Sequence, residues 1–189
     1  MTTRLARPLV VLAAVLGSAA LLLVLAAVPA RAAIEDYAPY QPQSRCAPKA
    51  KPGTKELGRW IVKRYGGGFG GISRECGSGT SEHYEGRAFD WTVDARKRSD
   101  RRKVRRFLGD LFATDGSGNT HARARRMGIM YVIWDDRIYS AWHAFDPRRY
   151  KSAGCKKVKS CSATLRHRDH VHVSITRKAA RGKTSWYDG

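Results

Sequence analysis

Acidic side chains are scarce in this 189-residue chain: 16 Asp and Glu face 36 Lys and Arg, a formal net charge of +20. Cysteine is scarce too, at four, and no two cysteines stand in a C-x-x-C pair, which argues against a thiolate metal site. Only one long hydrophobic run exists, over residues 9–28, so no second stretch could serve as a membrane span. The glycine-rich stretch at residues 66–71 lacks a following Gly-Lys-Ser/Thr and does not lie between a strand and a helix in the required order, which excludes a phosphate cradle. No internal repeat is found. No helix-turn-helix, zinc-finger or aromatic RNA-binding pattern accompanies the positive charge, so a physiological nucleic-acid partner is not expected.

What is present points to a fold. Hydrophobic residues make up 42% of the chain and include five Trp, eight Tyr and five Phe, too many for a disordered basic tail. The length suits one domain with a core. Part of the apolar count belongs to residues 1–32, which read as an export signal. Arg4 and Arg7 precede the apolar run, and Ala30-Arg31-Ala32 follows Pro29 as an A-x-A cleavage site, with cleavage expected before Ala33. An uncleaved anchor is the alternative; in both cases the rest of the chain is exported. Removing the three arginines of that segment leaves 33 basic against 16 acidic side chains, a net +17 over 157 residues. The mature chain is expected to be secreted, monomeric and free of membrane after cleavage.

Exported cysteines usually pair. Spacing favours Cys155 with Cys161, closing a small basic loop, and Cys46 with Cys76, tying the first mature segment to the domain. Residues 33–53 carry Pro39, Pro42, Pro48 and Pro52 and read as an extended lead-in to a domain over residues 54–189. Leu57, Trp60, Ile61 and Tyr65 follow helical spacing, with Thr54 as the expected cap and Gly66 to stop the helix. Phe89, Trp91 and Val93 alternate with Asp90, a strand with one face in the core. Val104, Phe107, Leu108, Leu111 and Phe112 form a second helical stripe, capped by Ser99 or Asp100, whose other face is basic and solvated. A short helix is expected over residues 120–127. Residues 131–134 and 137–141 flank Asp135-Asp136 as a β-hairpin. Val171, Val173 and Ile175 alternate with His170, His172 and Ser174 as a last strand. Helices between antiparallel strands give an α+β fold.

Strand alternation turns Asp90, His170 and His172 to one face. With His83, the His/Asp/His set has the composition of a three-ligand zinc site with an open position for water. His83 and Asp90 are seven residues apart, ~23 Å along a straight strand, so the chain must fold back between them, and Gly86 is placed to allow it.

Ser81, His83, Gly86, Ala88 and Asp90 reproduce S-x-H-x-x-G-x-A-x-D, and Asp169-His170-Val171-His172 reproduces D-H-x-H. Together they resemble the zinc D-Ala-D-Ala carboxypeptidase, lysostaphin-type and Hedgehog fold group, over roughly residues 51–176. Tracts such as Gly71-Ile72-Ser73-Arg74 and Tyr131-Val132-Ile133-Trp134 are similar to a subfamily of secreted actinobacterial proteins of undefined role. The resemblance implies a small central antiparallel sheet carrying the ligands, with helices packed on it. It implies that His83, Asp90 and His172 bind Zn2+, and that Asp169 is the general base with His170 as transition-state stabiliser or substitute base. The alternative is that Asp169 orients a ligand histidine. Arg74, nine residues before His83, is the candidate for a substrate carboxylate, a structural ion pair being the alternative. Trp142, His143 and His167 are left outside the site. The implied activity is hydrolysis of peptidoglycan peptides, of carboxypeptidase or endopeptidase type, with anionic cell-wall polymers as partners of the basic surface. A catalytically silent zinc module that binds the wall is the competing reading.

Overall fold

The computed structural model describes residues 34–188. The export signal read over residues 1–32 and its cleavage before Ala33 lie outside the described residues. Among the described residues, no helix is long and apolar enough to cross a membrane.

The body is α+β. In chain order it runs α1 (Pro52–Tyr65), β1 (Gly68–Phe69), a 3-10 turn (Glu82–Glu85), β2 (Ala88–Thr92), α2 (Arg98–Phe112) and α3 (Ala122–Arg126). It continues with β3 (Ile129–Trp134), β4 (Arg137–Ser140), β5 (Pro147–Arg149), β6 (His170–Ile175) and α4 (Arg177–Ala180). The strands form one sheet in the order β1-β2-β6-β3-β4-β5, and each neighbouring pair is antiparallel. β6, the last strand in sequence, therefore lies between β2 and β3.

Register decides what each face carries. Asp90 of β2 stands opposite His172 of β6, and Ile133 of β3 stands opposite His172 on its other side. The next row holds Ala88, Ser174 and Tyr131, and the row beyond pairs Thr92 with His170. Because alternate residues share a face, one face collects Asp90, His170, His172, Ser174 and Tyr131. Phe89, Trp91, Val171 and Val173 turn to the other face, where all four are fully buried. There Leu57 and Ile61 of α1 and Val104, Phe107 and Leu111 of α2 complete the core. The Trp91 ring lies 5.5 Å from Phe107 and 6.1 Å from Tyr65, and its Nε1 donates to the Gly66 carbonyl at 2.9 Å. Truncating Trp91 or Phe107 to alanine would cost about 3–5 kcal/mol.

Helix starts differ from the sequence expectation. α1 begins at Pro52, two residues before Thr54; no side chain caps it, and proline fills the first turn, where a missing N–H costs nothing. Thr54 is buried and donates instead to the Gly86 carbonyl at 2.9 Å, tying α1 to the turn that carries His83. α2 likewise begins at Arg98 without a side-chain cap; Asp100 lies in its first turn, accepts from the Asp94 N–H at 3.1 Å and pairs with Lys103. The third helix spans only Ala122–Arg126, because His121 takes a left-handed conformation (φ 52°) just before it. The β3–β4 hairpin turns on Asp135 and Asp136, both at positive φ (46° and 61°), the two-residue geometry whose twist matches the strands.

Residues 34–51 have no regular structure but lie along the body. The Glu35 carboxylate accepts from the Ser185 N–H and hydroxyl at 2.7 Å each, and Gln41 accepts from the Arg177 N–H at 2.9 Å. The structure pairs Cys46 with Cys76 and Cys155 with Cys161.

Candidate metal centre

Between Ser81 and Asp90 the chain folds back through the 3-10 turn. The Ser81 hydroxyl accepts from the His83 N–H at its start, and Gly86 ends it at φ 63°, φ being the left-handed value that favours glycine. A β-carbon at Gly86 would lie 2.1 Å from the Lys49 carbonyl oxygen, so the close approach of the lead-in demands glycine as well. The turn delivers the His83 ring to the polar face of the sheet, above Asp90 and His172.

There three side-chain atoms form a near-equilateral triangle. His83 Nε2 is 3.2 Å from Asp90 Oδ1 and 3.2 Å from His172 Nδ1, and His172 Nδ1 is 3.1 Å from Asp90 Oδ1. His83 donates its Nδ1–H to the Ile72 carbonyl at 2.9 Å, which leaves a lone pair on Nε2 pointing into the triangle. Ligands at ~2.0–2.1 Å from a tetrahedral ion stand ~3.3 Å apart, close to the spacing seen. Burial raises the Asp90 pKa, but the adjoining His172 and His83 rings outweigh it and hold the carboxyl far below the usual range. Burial lowers the His172 pKa against the opposing pull of Asp90. A carboxylate and two imidazoles converge, and these residues could hold a metal ion.

His170 enters from the neighbouring row. Its Nε2 is 3.7 Å from Asp90 Oδ1, and its Nδ1 is 2.7 Å from Asp169 Oδ1. Asp169 precedes the first residue of β6, and its second oxygen accepts from the Thr164 hydroxyl at 2.6 Å. It therefore meets the centre through the His170 ring. The cluster opens into a cleft of about 310 Å³ whose walls include Arg74, Glu82, Tyr150, Thr164 and His167. Arg74 is exposed at the rim; it donates to the Ser81 hydroxyl at 3.0 Å and stacks over Tyr84, and among the described residues it pairs with no carboxylate.

His167 corrects the sequence expectation. It lines the cleft, its ring 4.7 Å from that of His170 and 5.7 Å from that of His172. Burial, and then the nearby His172 and His170, push its imidazole down to about 3, so it is neutral under ordinary conditions. Three other residues also went unnoticed. The Tyr131 ring stacks on His172 with centroids 5.5 Å apart, its hydroxyl donates to Glu82 at 2.5 Å, and Ser174 meets His172 Nε2 at 2.8 Å. Ser174 is two residues from His172 and so on its face, a signal within reach of strand periodicity. Glu82 and Tyr131 become visible only through the fold-back and the strand register.

No curated protein and no solved structure matches the chain. A family model does match, over residues 46–160, which takes in His83 and Asp90 and stops short of His172. Since that match spans more than half of the sequence, the chain belongs to the family described as VldE, C-terminal domain.

Proposed function

We propose that this protein is an exported zinc-dependent hydrolase acting on peptide bonds of peptidoglycan. The observation that carries the reading is the His83–Asp90–His172 triangle with the Asp169–His170 pair beside it. Two nitrogens and one carboxylate oxygen at tetrahedral spacing suit zinc better than the harder calcium or magnesium, which favour six or more oxygens. Zinc held there would supply a Lewis acid that polarises a carbonyl and acidifies water.

The chain's own residues divide the remaining work. With its Nδ1–H held by Asp169, His170 keeps Nε2 as the acceptor on the cleft side, placed to take a proton from an attacking water and pass it to the leaving amine. Both Asp169 oxygens are already engaged, by Thr164 and His170, which favours Asp169 as the orienting group over Asp169 as the base. Arg74, which among the described residues pairs with no carboxylate, stands at the rim where a substrate carboxylate would enter. The two disulfides and the net +17 of the mature chain support residence at an anionic envelope.

The test is a mass-spectrometric digest of muropeptides by the zinc-loaded protein of residues 33–189. Cleavage of a stem peptide, lost in His172→Ala, is expected. Zinc binding with no cleavage, but with pelleting on cell-wall sacculi, would replace the hydrolase by a wall-binding module. Neither binding nor cleavage would end both.

A further inference from the structure

A second hollow, a groove of about 630 Å³, shares a wall with the metal cleft. Tyr150 lines both, and along residues 164–168 the cleft takes Thr164, Leu165 and His167 while the groove takes Arg166 and Arg168. Backbone hydrogen bonds hold this wall in place: the Asp135 N–H donates to the His167 carbonyl at 2.8 Å, and the Tyr150 N–H to the Asp136 carbonyl at 2.8 Å.

The charge of the groove is one-sided. Six cationic side chains line it against two carboxylates, Asp135 and Asp136. Both carboxylates are already engaged. Arg166 grips Asp136 at 2.6 and 3.0 Å, and Arg168 Nε lies 2.9 Å from Asp135 Oδ1. The remaining four cations, Arg137, Arg149, Lys151 and Lys159, are exposed and among the described residues pair with no carboxylate. Two of them are forced together, since Arg137 of β4 stands directly opposite Arg149 of β5. Like charges in that position destabilise a sheet, and an anion received between the two guanidinium groups relieves the repulsion. β5 is the edge of the sheet, so no further strand covers this side.

We propose that the groove binds a linear phosphodiester polymer beside the metal cleft. Four uncompensated cations in one groove suit a chain with an acid in every repeat better than a single anion. The opposed arginines favour phosphate: its two free oxygens diverge from a tetrahedral phosphorus, so each guanidinium can take one, whereas a single guanidinium fork fills both oxygens of a planar carboxylate. This binding goes beyond the hydrolase reading and does not depend on the metal.

The test is binding of fluorescently labelled poly(glycerol phosphate) to the mature chain in the presence of a chelator, followed by anisotropy across a salt series. Arg137→Gln/Arg149→Gln should lower affinity about tenfold and reduce the slope of log affinity against log salt by about 1.4, the counterions released by two phosphate contacts. Arg102→Gln/Arg105→Gln, an equal loss of charge on the exposed face of α2, should leave both near wild type. Equal losses in the two variants would overturn the groove in favour of diffuse surface charge. Wild-type binding of poly-glutamate as tight as that of the phosphodiester chain would overturn the choice of phosphate, and a wild type that binds neither chain would overturn the site. Polymer binding without muropeptide cleavage would uphold the groove and end the hydrolase reading; cleavage without polymer binding would do the reverse.

Discussion

Asp169 Oδ1 lies 2.7 Å from His170 Nδ1, and the imidazole stands between that carboxylate and the metal triangle. The arrangement makes a prediction that separates two roles for Asp169. As an orienting group, Asp169→Asn should lower kcat about 10- to 100-fold while leaving zinc affinity unchanged, and His170→Ala should cost more. As the base itself, Asp169→Asn would cost at least as much as His170→Ala. Steady-state kinetics on both variants with the same stem peptide distinguishes them.

Zinc should stabilise the fold, because the triangle draws its corners from the 3-10 turn, β2 and β6 and does not exist in the unfolded chain. At a zinc concentration about 100 times Kd the gain is about 2.7 kcal/mol, or roughly 5–10 °C in Tm for a domain of this size. Asp90→Asn and His172→Ala should show no zinc-dependent shift in scanning calorimetry, and a chelator should reverse the shift in the wild type. An equal shift in all three would place the metal elsewhere.

Arg74 is exposed and, among the described residues, has no acidic partner. If its fork receives a substrate carboxylate, Arg74→Ala should raise KM about tenfold or more with little change in kcat, and Arg74→Lys should restore only part of it, since an ammonium lacks the bidentate geometry. A substrate whose terminal carboxylate is amidated should be indifferent to the substitution. Equal effects on both substrates would return Arg74 to a structural role.

Alkaline pH should reveal how α1 is held. The half-buried Tyr187 phenol sits beneath the start of the helix and donates to the Gly53 carbonyl at 3.0 Å. Burial, with a smaller push from the Glu56 charge, raises its pKa above the ordinary value. The unfolded chain releases this proton near pH 10 and the folded chain holds it longer, so stability is unaffected below ~pH 10 and falls as pH rises beyond it. Tyr187→Phe should flatten that part of the decline in urea titrations. A decline of the same steepness in both proteins would contradict it.

The periodic parts of the fold are legible in the sequence. Phe89, Trp91 and Val93 against Asp90, and Val171 and Val173 against His170 and His172, announce strands because burial on one face imposes a period of two. Helix starts were not readable. Thr54 and Asp100 have the chemistry of caps, yet their side chains were recruited by Gly86 and Asp94, partners that only tertiary packing supplies. β1 and β5 carry little apolar signal, being two residues beside glycines and three exposed residues at a sheet edge. In the site, ligand types and spacing were visible in sequence order. The neighbours of those ligands were not: Tyr131 reaches His172 through strand register, and His167, expected outside the site, lines the cleft because the segment before β6 folds over it.

The Cys46–Cys76 disulfide closes a loop of 30 residues and anchors the lead-in beside the segment that carries Ile72. Its loop length corresponds to about 3–4 kcal/mol of lost unfolded-state entropy. The bond should also matter to the metal, because the Ile72 carbonyl fixes the His83 tautomer and lies four residues from Cys76. Cys46→Ala/Cys76→Ala should therefore lower both the urea midpoint and the zinc affinity. The small Cys155–Cys161 loop, with a sequence separation of 6, corresponds to only about 2 kcal/mol and touches no ligand, so its removal should lower stability alone. Chelator competition on the two double variants decides the matter: equal zinc affinity in both would show that the first disulfide holds the chain together without shaping the centre.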